Sequence, residues 1–178
     1  MDQEVQEALH ALHQGIQTEL QGKAFYAKAA ARTADESGRH AFETLMREEE
    51  THLRLLKVQY GNLVTTGRWL AMEQARSLEP GKEVESIFPT DDLSLAALLP
   101  EGADDLKALE IALEFERKGY TTYRQNAAES RTREAQALYE FLAAQEQKHF
   151  EFIQRAHEYL KTRGAWYFDE RELPMFEG

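Results

Sequence analysis

The stretch LMREEETHLRLL (45–56) sets three glutamates just ahead of a histidine, in what otherwise reads as an apolar helix face. Phe42, Leu45, Met46, Leu53 and Leu56 recur at the spacing that places residues on one side of a helix. Glu49 and His52 fall inside that stripe, while Glu48 and Glu50 flank it. A charged pair on a core-facing stripe needs a reason, because an unpaired buried carboxylate costs several kcal/mol.

The reason lies in a second copy. Shifting the chain by 97 residues, the offset from Glu19 to Glu116, aligns two halves without a gap. Leu12 meets Leu109, Gly22 meets Gly119, Tyr26 meets Tyr123, and Leu45 meets Leu142. Glu49 meets Glu146 and His52 meets His149, but Glu48 meets Gln145 and Glu50 meets Gln147. Of the three glutamates only Glu49 is repeated, and it keeps its histidine three residues on. Tyr139, Leu142 and Ile153 form the matching stripe around Glu146 and His149. Leu12, Ile16, Tyr26 and Ala30 bracket Glu19; Leu109, Leu113, Tyr123 and Ala127 bracket Glu116. A third Glu-x-x-His, Glu7 with His10, meets Asp104 and Lys107 and reads as surface; His13, His40 and His157 read as solvent-facing or ordinary packing.

Around these motifs the chain reads as all-α. Residues 3–60 and 102–163 are helical in composition and period, each broken once by a short turn, near TADESG (33–38) and ESRTR (129–133). That gives two repeated helical hairpins and one four-helix bundle domain over 1–178. The crossover, 61–101, holds the turn chemistry of EPGKE and FPTDD, and GRWLAMEQARS (67–77) suits a short helix. Forty extended residues span a long helix, so the helices on either side of the crossover are expected to run parallel. The tail, 164–178, is aromatic and aperiodic, and is expected to pack on the bundle or a second subunit.

Four carboxylates and two imidazoles therefore point into one core. The stripes offer one cation, Lys23, to set against them. Two divalent metal ions balance four carboxylates. One glutamate from each of two helices, with Glu-x-x-His from each of the other two, is a ligand set for a dinuclear site. Glu49 and Glu146 are placed to bridge, Glu19 and Glu116 to bind terminally, and His52 and His149 to cap one metal each. Tyr26 and Tyr123, two turns beyond Glu19 and Glu116, are candidates to hold the bridging carboxylates by hydrogen bonds. Gly22 and Gly119, one turn beyond them, leave room for close helix approach or for a substrate. Oxygen and imidazole donors suit iron, manganese or zinc.

Composition narrows the rest. With no cysteine, disulfides, thiolate nucleophiles and cysteine-ligated metals are excluded. A net charge of −11 argues against a nucleic-acid backbone as partner. No apolar run reaches a membrane-spanning length, and the acidic start lacks the pattern of a secretory signal, so a cytoplasmic location is expected.

ELQGKAFY (19–26), EEETH (48–52), ERKGYTTY (116–123) and QEQKH (145–149) together resemble the rubrerythrin branch of the ferritin-like superfamily. The resemblance covers both hairpins and implies a non-haem di-iron centre, hydrogen peroxide reduction in oxidative-stress defence, and a homodimer. Many such proteins append a rubredoxin-like domain held by cysteines. This chain has none, so an external electron donor such as a rubredoxin is implied. Rubrerythrins also carry an extra carboxylate one turn after the glutamate that Glu116 matches, where this chain has Gly119. The functions expected are a di-iron peroxidase or oxidase, an iron-oxidising storage protein, or a bundle holding a static metal.

Overall fold

A computed structural model describes residues 2–89, 98–169, 171 and 173. Part of the FPTDD turn and most of the tail beyond 169 lie outside them. The elements are α1 (Gln3–Arg32), α2 (Glu36–Thr66), α3 (Met72–Arg76), α4 (Lys82–Ile87), α5 (Asp105–Glu129) and α6 (Arg133–Arg163). Among the described residues there is no strand, and no helix is long and apolar enough to cross a membrane. The fold is an all-α helical bundle.

Short polar side chains start the long helices. Asp35 accepts from the Gly38 N–H at 3.0 Å, Asp104 from Lys107 at 2.8 Å, and Thr132 from Ala135 at 3.2 Å. α2 and α6 end alike. Gly67 and Gly164 take φ of 69° and 70°, a left-handed conformation that suits glycine, and donate their N–H to Leu63 and Leu160 at 2.9 Å. Gly67 and Gly164 are again 97 residues apart, so the internal repeat reaches the helix caps. α2 consequently runs past residue 60 to Thr66.

α1 packs along α2, and α5 along α6. Tyr26 lies level with Glu116 and Tyr123 level with Glu19, so α1 and α5 are antiparallel. His52 lies beside Glu146 and His149 beside Glu49, so α2 and α6 are antiparallel too. It follows that α2 and α5 run parallel, and the crossover travels the length of the bundle. It is tied down on α2. Buried Lys57 donates to Glu85 at 2.7 Å and to the Phe88 carbonyl at 3.1 Å, while the Gln59 amide bonds both ways with the Leu70 backbone. The described part of the tail packs on the bundle: Trp166 edges Phe42 and donates to Asp105 at 2.8 Å, and Phe168 packs on Phe152.

Two apolar clusters fill the interior. One gathers Leu12, Ile16, Leu53, Leu56, Tyr123, Leu138 and Leu142; the other Phe25, Tyr26, Phe42, Leu45, Leu109, Phe152 and Ile153. Each fully buried leucine or isoleucine contributes roughly 1.5–3 kcal/mol of transfer free energy. Both clusters reach buried carboxylates: Tyr123 of the first bonds to Glu19, and Tyr26 of the second to Glu116.

Candidate metal centre

Glu19 projects from α1, Glu49 and His52 from α2, Glu116 from α5, and Glu146 and His149 from α6. All six are buried, none more than 1 % exposed. Their ligand atoms form two groups that can each hold a metal ion: Glu19, Glu49, His52 and Glu146; and Glu49, Glu116, Glu146 and His149. Glu49 and Glu146 belong to both groups. Glu19 with His52, and Glu116 with His149, belong to one each. His10, His13, His40 and His157 belong to neither.

The spacings are those of groups facing a common point. His52 Nδ1 lies 3.3 Å from Glu49 Oε2, 3.3 Å from Glu146 Oε1 and 3.5 Å from Glu19 Oε2. His149 Nδ1 lies 3.3 Å from Glu116 Oε2 and 3.7 Å from Glu49 Oε1. The two imidazoles stack with centroids 5.4 Å apart. Both carboxylate oxygens of Glu49 and of Glu146, one each of Glu19 and Glu116, and all four imidazole nitrogens have no hydrogen-bond partner. Polar atoms left this way in a dry core are strongly destabilising. A cation among them would satisfy them together, and this is the observation on which metal fits the residues present.

Lys23 does not supply that cation. It lies partly exposed and pairs with Glu50 at 2.8 Å, away from the cluster. The carboxylates therefore depend on protons when no metal neutralises them. Burial, then the charges of Glu19, Glu146 and Glu116, push the Glu49 carboxyl well above its usual range. Burial and the charges of Glu116 and Glu19 do the same to Glu146. Burial acts to raise Glu19 as well, but the nearby Glu49 carboxyl, the His52 imidazole and the Tyr123 hydroxyl outweigh it and hold Glu19 low. For His52, burial opposes charging, yet Glu146, Glu19 and Glu49 prevail and raise its pKa well above the usual imidazole value.

The tyrosines correct one expectation. Tyr26 donates to Glu116 and Tyr123 to Glu19. They hold the glutamates of the opposite repeat that belong to one group each, not the shared Glu49 and Glu146. The cause is geometric: two turns carry a side chain about 11 Å along its helix, and on antiparallel α1 and α5 that displacement brings each tyrosine level with the other helix's glutamate. Burial and the surrounding carboxylates push both phenols well above their usual pKa, so both remain donors.

Sequence reasoning placed Glu48 on the flank; the structure buries it, at 6 % exposure, where it forms a third group with His52 and His149. Its repeat partner Gln145 is equally buried. The missed signal was the four-residue step from Glu48 to His52 and from Gln145 to His149, which also shares a helix face. Here the halves differ by one charge.

Gly119 is close approach, not open space. A Cβ there would come inside 3.0 Å of Glu146 Oε2. Alanine in a helix normally gains about 1 kcal/mol over glycine, but Gly119→Ala must displace a ligand. We expect its metal affinity to fall on the order of 10- to 100-fold, the range for disturbing a ligand's setting. Chelator competition measures this; undiminished affinity would show that Glu146 has freedom the packing denies it.

No protein-family model, curated protein or solved structure matches the chain.

Proposed function

We propose that this protein is a rubrerythrin-like di-iron oxidoreductase that reduces hydrogen peroxide, or dioxygen, with electrons from a separate donor protein. The reading rests on one observation above others: two buried four-residue groups share Glu49 and Glu146. In this reading Glu49 and Glu146 would serve both of two iron ions, Glu19 and His52 would complete the ligands of one, and Glu116 and His149 those of the other. Iron supplies one-electron steps and Lewis acidity at such a site. Manganese or zinc would fit the same donors, but zinc supplies no redox step.

The remaining chemistry belongs to the chain. Tyr26 and Tyr123 fix the orientation of Glu116 and Glu19 through single hydrogen bonds. The two apolar clusters exclude bulk water, which strengthens electrostatic interactions inside. The carboxyls of Glu49 and Glu146 hold protons until metal displaces them, so metal loading at neutral pH is expected to release protons. Peroxide reduction consumes two electrons and two protons to give two waters; these residues include no cysteine to hold a rubredoxin-like iron, which favours electrons from an external donor.

The test is anaerobic loading with ferrous iron, then rapid mixing with peroxide or with dioxygen while following the near-ultraviolet absorption of oxidised iron. Faster oxidation by peroxide, with turnover dependent on an added rubredoxin or flavin reductase, is the expected result. Faster oxidation by dioxygen would replace it with an iron-oxidising role, and bound metal that never turns over with a static one.

A further inference from the structure

Beyond the ligand set, an aromatic path leaves the site in each half, and the two paths differ in chemistry. Tyr123, which holds Glu19, stacks on Tyr139 with centroids 6.2 Å apart and planes at 23°. Tyr139 meets the half-buried Trp69 edge-on at 6.1 Å. The 97-residue offset relates Tyr139 to Phe42 and Trp69 to Trp166. In the second path Tyr26, which holds Glu116, stacks on Phe42 at 6.3 Å, and Phe42 meets Trp166 edge-on at 5.4 Å.

Packing alone does not explain the difference. Phe42 shows that a bare phenyl ring fills this position of the fold. Tyr139 instead carries a hydroxyl with no partner among the protein groups, on the wall of a pocket that Trp69 also lines. What the hydroxyl adds is an oxidisable phenol between an indole and a second phenol.

We propose that Trp69, Tyr139 and Tyr123 form a one-electron relay from the bundle surface to the dinuclear site, and that Phe42 interrupts the matching path. The relay rests on the metal-centre reading above. With peroxide as the oxidant at the site, Tyr123 would give up one electron toward the residues that hold the metal, and its phenolic proton to the Glu19 carboxylate that already accepts its hydrogen bond. Tyr139 then gives one electron to Tyr123, which takes its proton back from Glu19. The Tyr139 proton passes, by way of water in the adjoining pocket of about 220 Å³, to the carboxylates of Glu4, Glu7 and Glu129, which line that pocket together with Tyr139 and Trp69. Trp69 gives the next electron to Tyr139, which recovers a proton from the cavity. An external one-electron donor, an iron–sulfur or flavin protein, then reduces Trp69. The donor loses one electron, the centre gains one, and every proton is returned.

The test uses metal-free protein. The chain has two tryptophans, so Trp166→Phe leaves Trp69 alone. A photoexcited ruthenium complex with persulfate oxidises it, and transient absorption follows the tryptophanyl signal as it passes to tyrosine. Adding Tyr139→Phe is expected to slow that decay on the order of tenfold or more. Phe42 in the other half shows that phenylalanine is accommodated there. Should Trp166→Phe not fold, the same comparison is made with Trp166 present, as a slowing of the Trp69 component that Trp69→Phe removes. An unchanged decay in Tyr139→Phe would overturn the relay. Because this readout needs no metal, a failed metal analysis would remove the proposed centre while leaving the electronic path measured, and the reverse result would remove the relay alone.

Discussion

On the proposed dinuclear reading, Glu146→Gln, and separately Glu49→Gln, are expected to lose both metal ions, whereas His52→Ala is expected to lose chiefly one. Glu49 and Glu146 each belong to both candidate groups, while His52 belongs to one four-residue group with Glu19. Removing a shared carboxylate takes a donor from both positions at once and leaves three protein donors at each. Removing His52 leaves the group around Glu116 and His149 complete. Glutamine keeps the shape of glutamate but not its charge, so a cavity does not confuse the result. Glu7→Ala is the control: Glu7 is exposed, pairs loosely with Arg131 at 3.5 Å, and should leave metal content unchanged. Elemental analysis of the purified variants decides the matter. Full metal in Glu146→Gln would remove the dinuclear assignment, and equal losses in Glu146→Gln and His52→Ala would remove the distinction between bridging and terminal ligands.

The second large effect is thermal. Metal present at a thousand times its dissociation constant stabilises the fold by about 4 kcal/mol. At roughly 2–4 °C per kcal/mol for a chain of this size, that raises Tm by about 8–16 °C. The metal-free protein should also become less stable as pH rises. Glu49, Glu146 and His52 have folded-state pKa values raised above the ordinary 4.5, 4.5 and 6.5. The stability such groups contribute is fully present below their unfolded values and is lost as pH climbs through the raised ones. Glu19 has the opposite sign, but its lowered pKa acts only below 4.5. Above about pH 5 the raised groups alone set the slope. Metal binding needs deprotonated carboxylates and neutral imidazoles, so its contribution grows over the same range. Melting curves of chelator-treated and reloaded protein at about pH 6 and pH 8 should therefore diverge as pH rises. A metal-free Tm that stays level or rises between them would show that the carboxylates are not crowded as described.

The candidate site was legible to an unusual depth because two independent patterns converge on it. Helical period placed Glu49, His52, Glu146 and His149 among apolar residues, and the offset of 97 separated Glu49 from Glu48 and Glu50. The structure brings all six into two adjoining groups. The same offset also misled. Glu48 meets Gln145 and so carries no repeat signal, yet both residues are buried. Identity between repeats detects what the halves share; it is blind to a buried position at which they differ. Lys23 shows the converse error, a residue on the stripe by period whose flexible chain carries its charge outward to Glu50.

What the sequence by itself determined is local and periodic: four long helices, their faces, and which carboxylates and imidazoles turn inward. These follow from 3.6 residues per turn. Only the tertiary structure decided what lies opposite what. Tyr26 holds Glu116 and Tyr123 holds Glu19 because antiparallel helices bring distant residues level; Lys57 locks the crossover to α2; the Glu146 carboxylate occupies the space above Gly119; and Tyr139 lies between Trp69 and Tyr123. Register between helices is set by how side chains from remote segments interlock in a close-packed core, and no periodicity within a single helix encodes it.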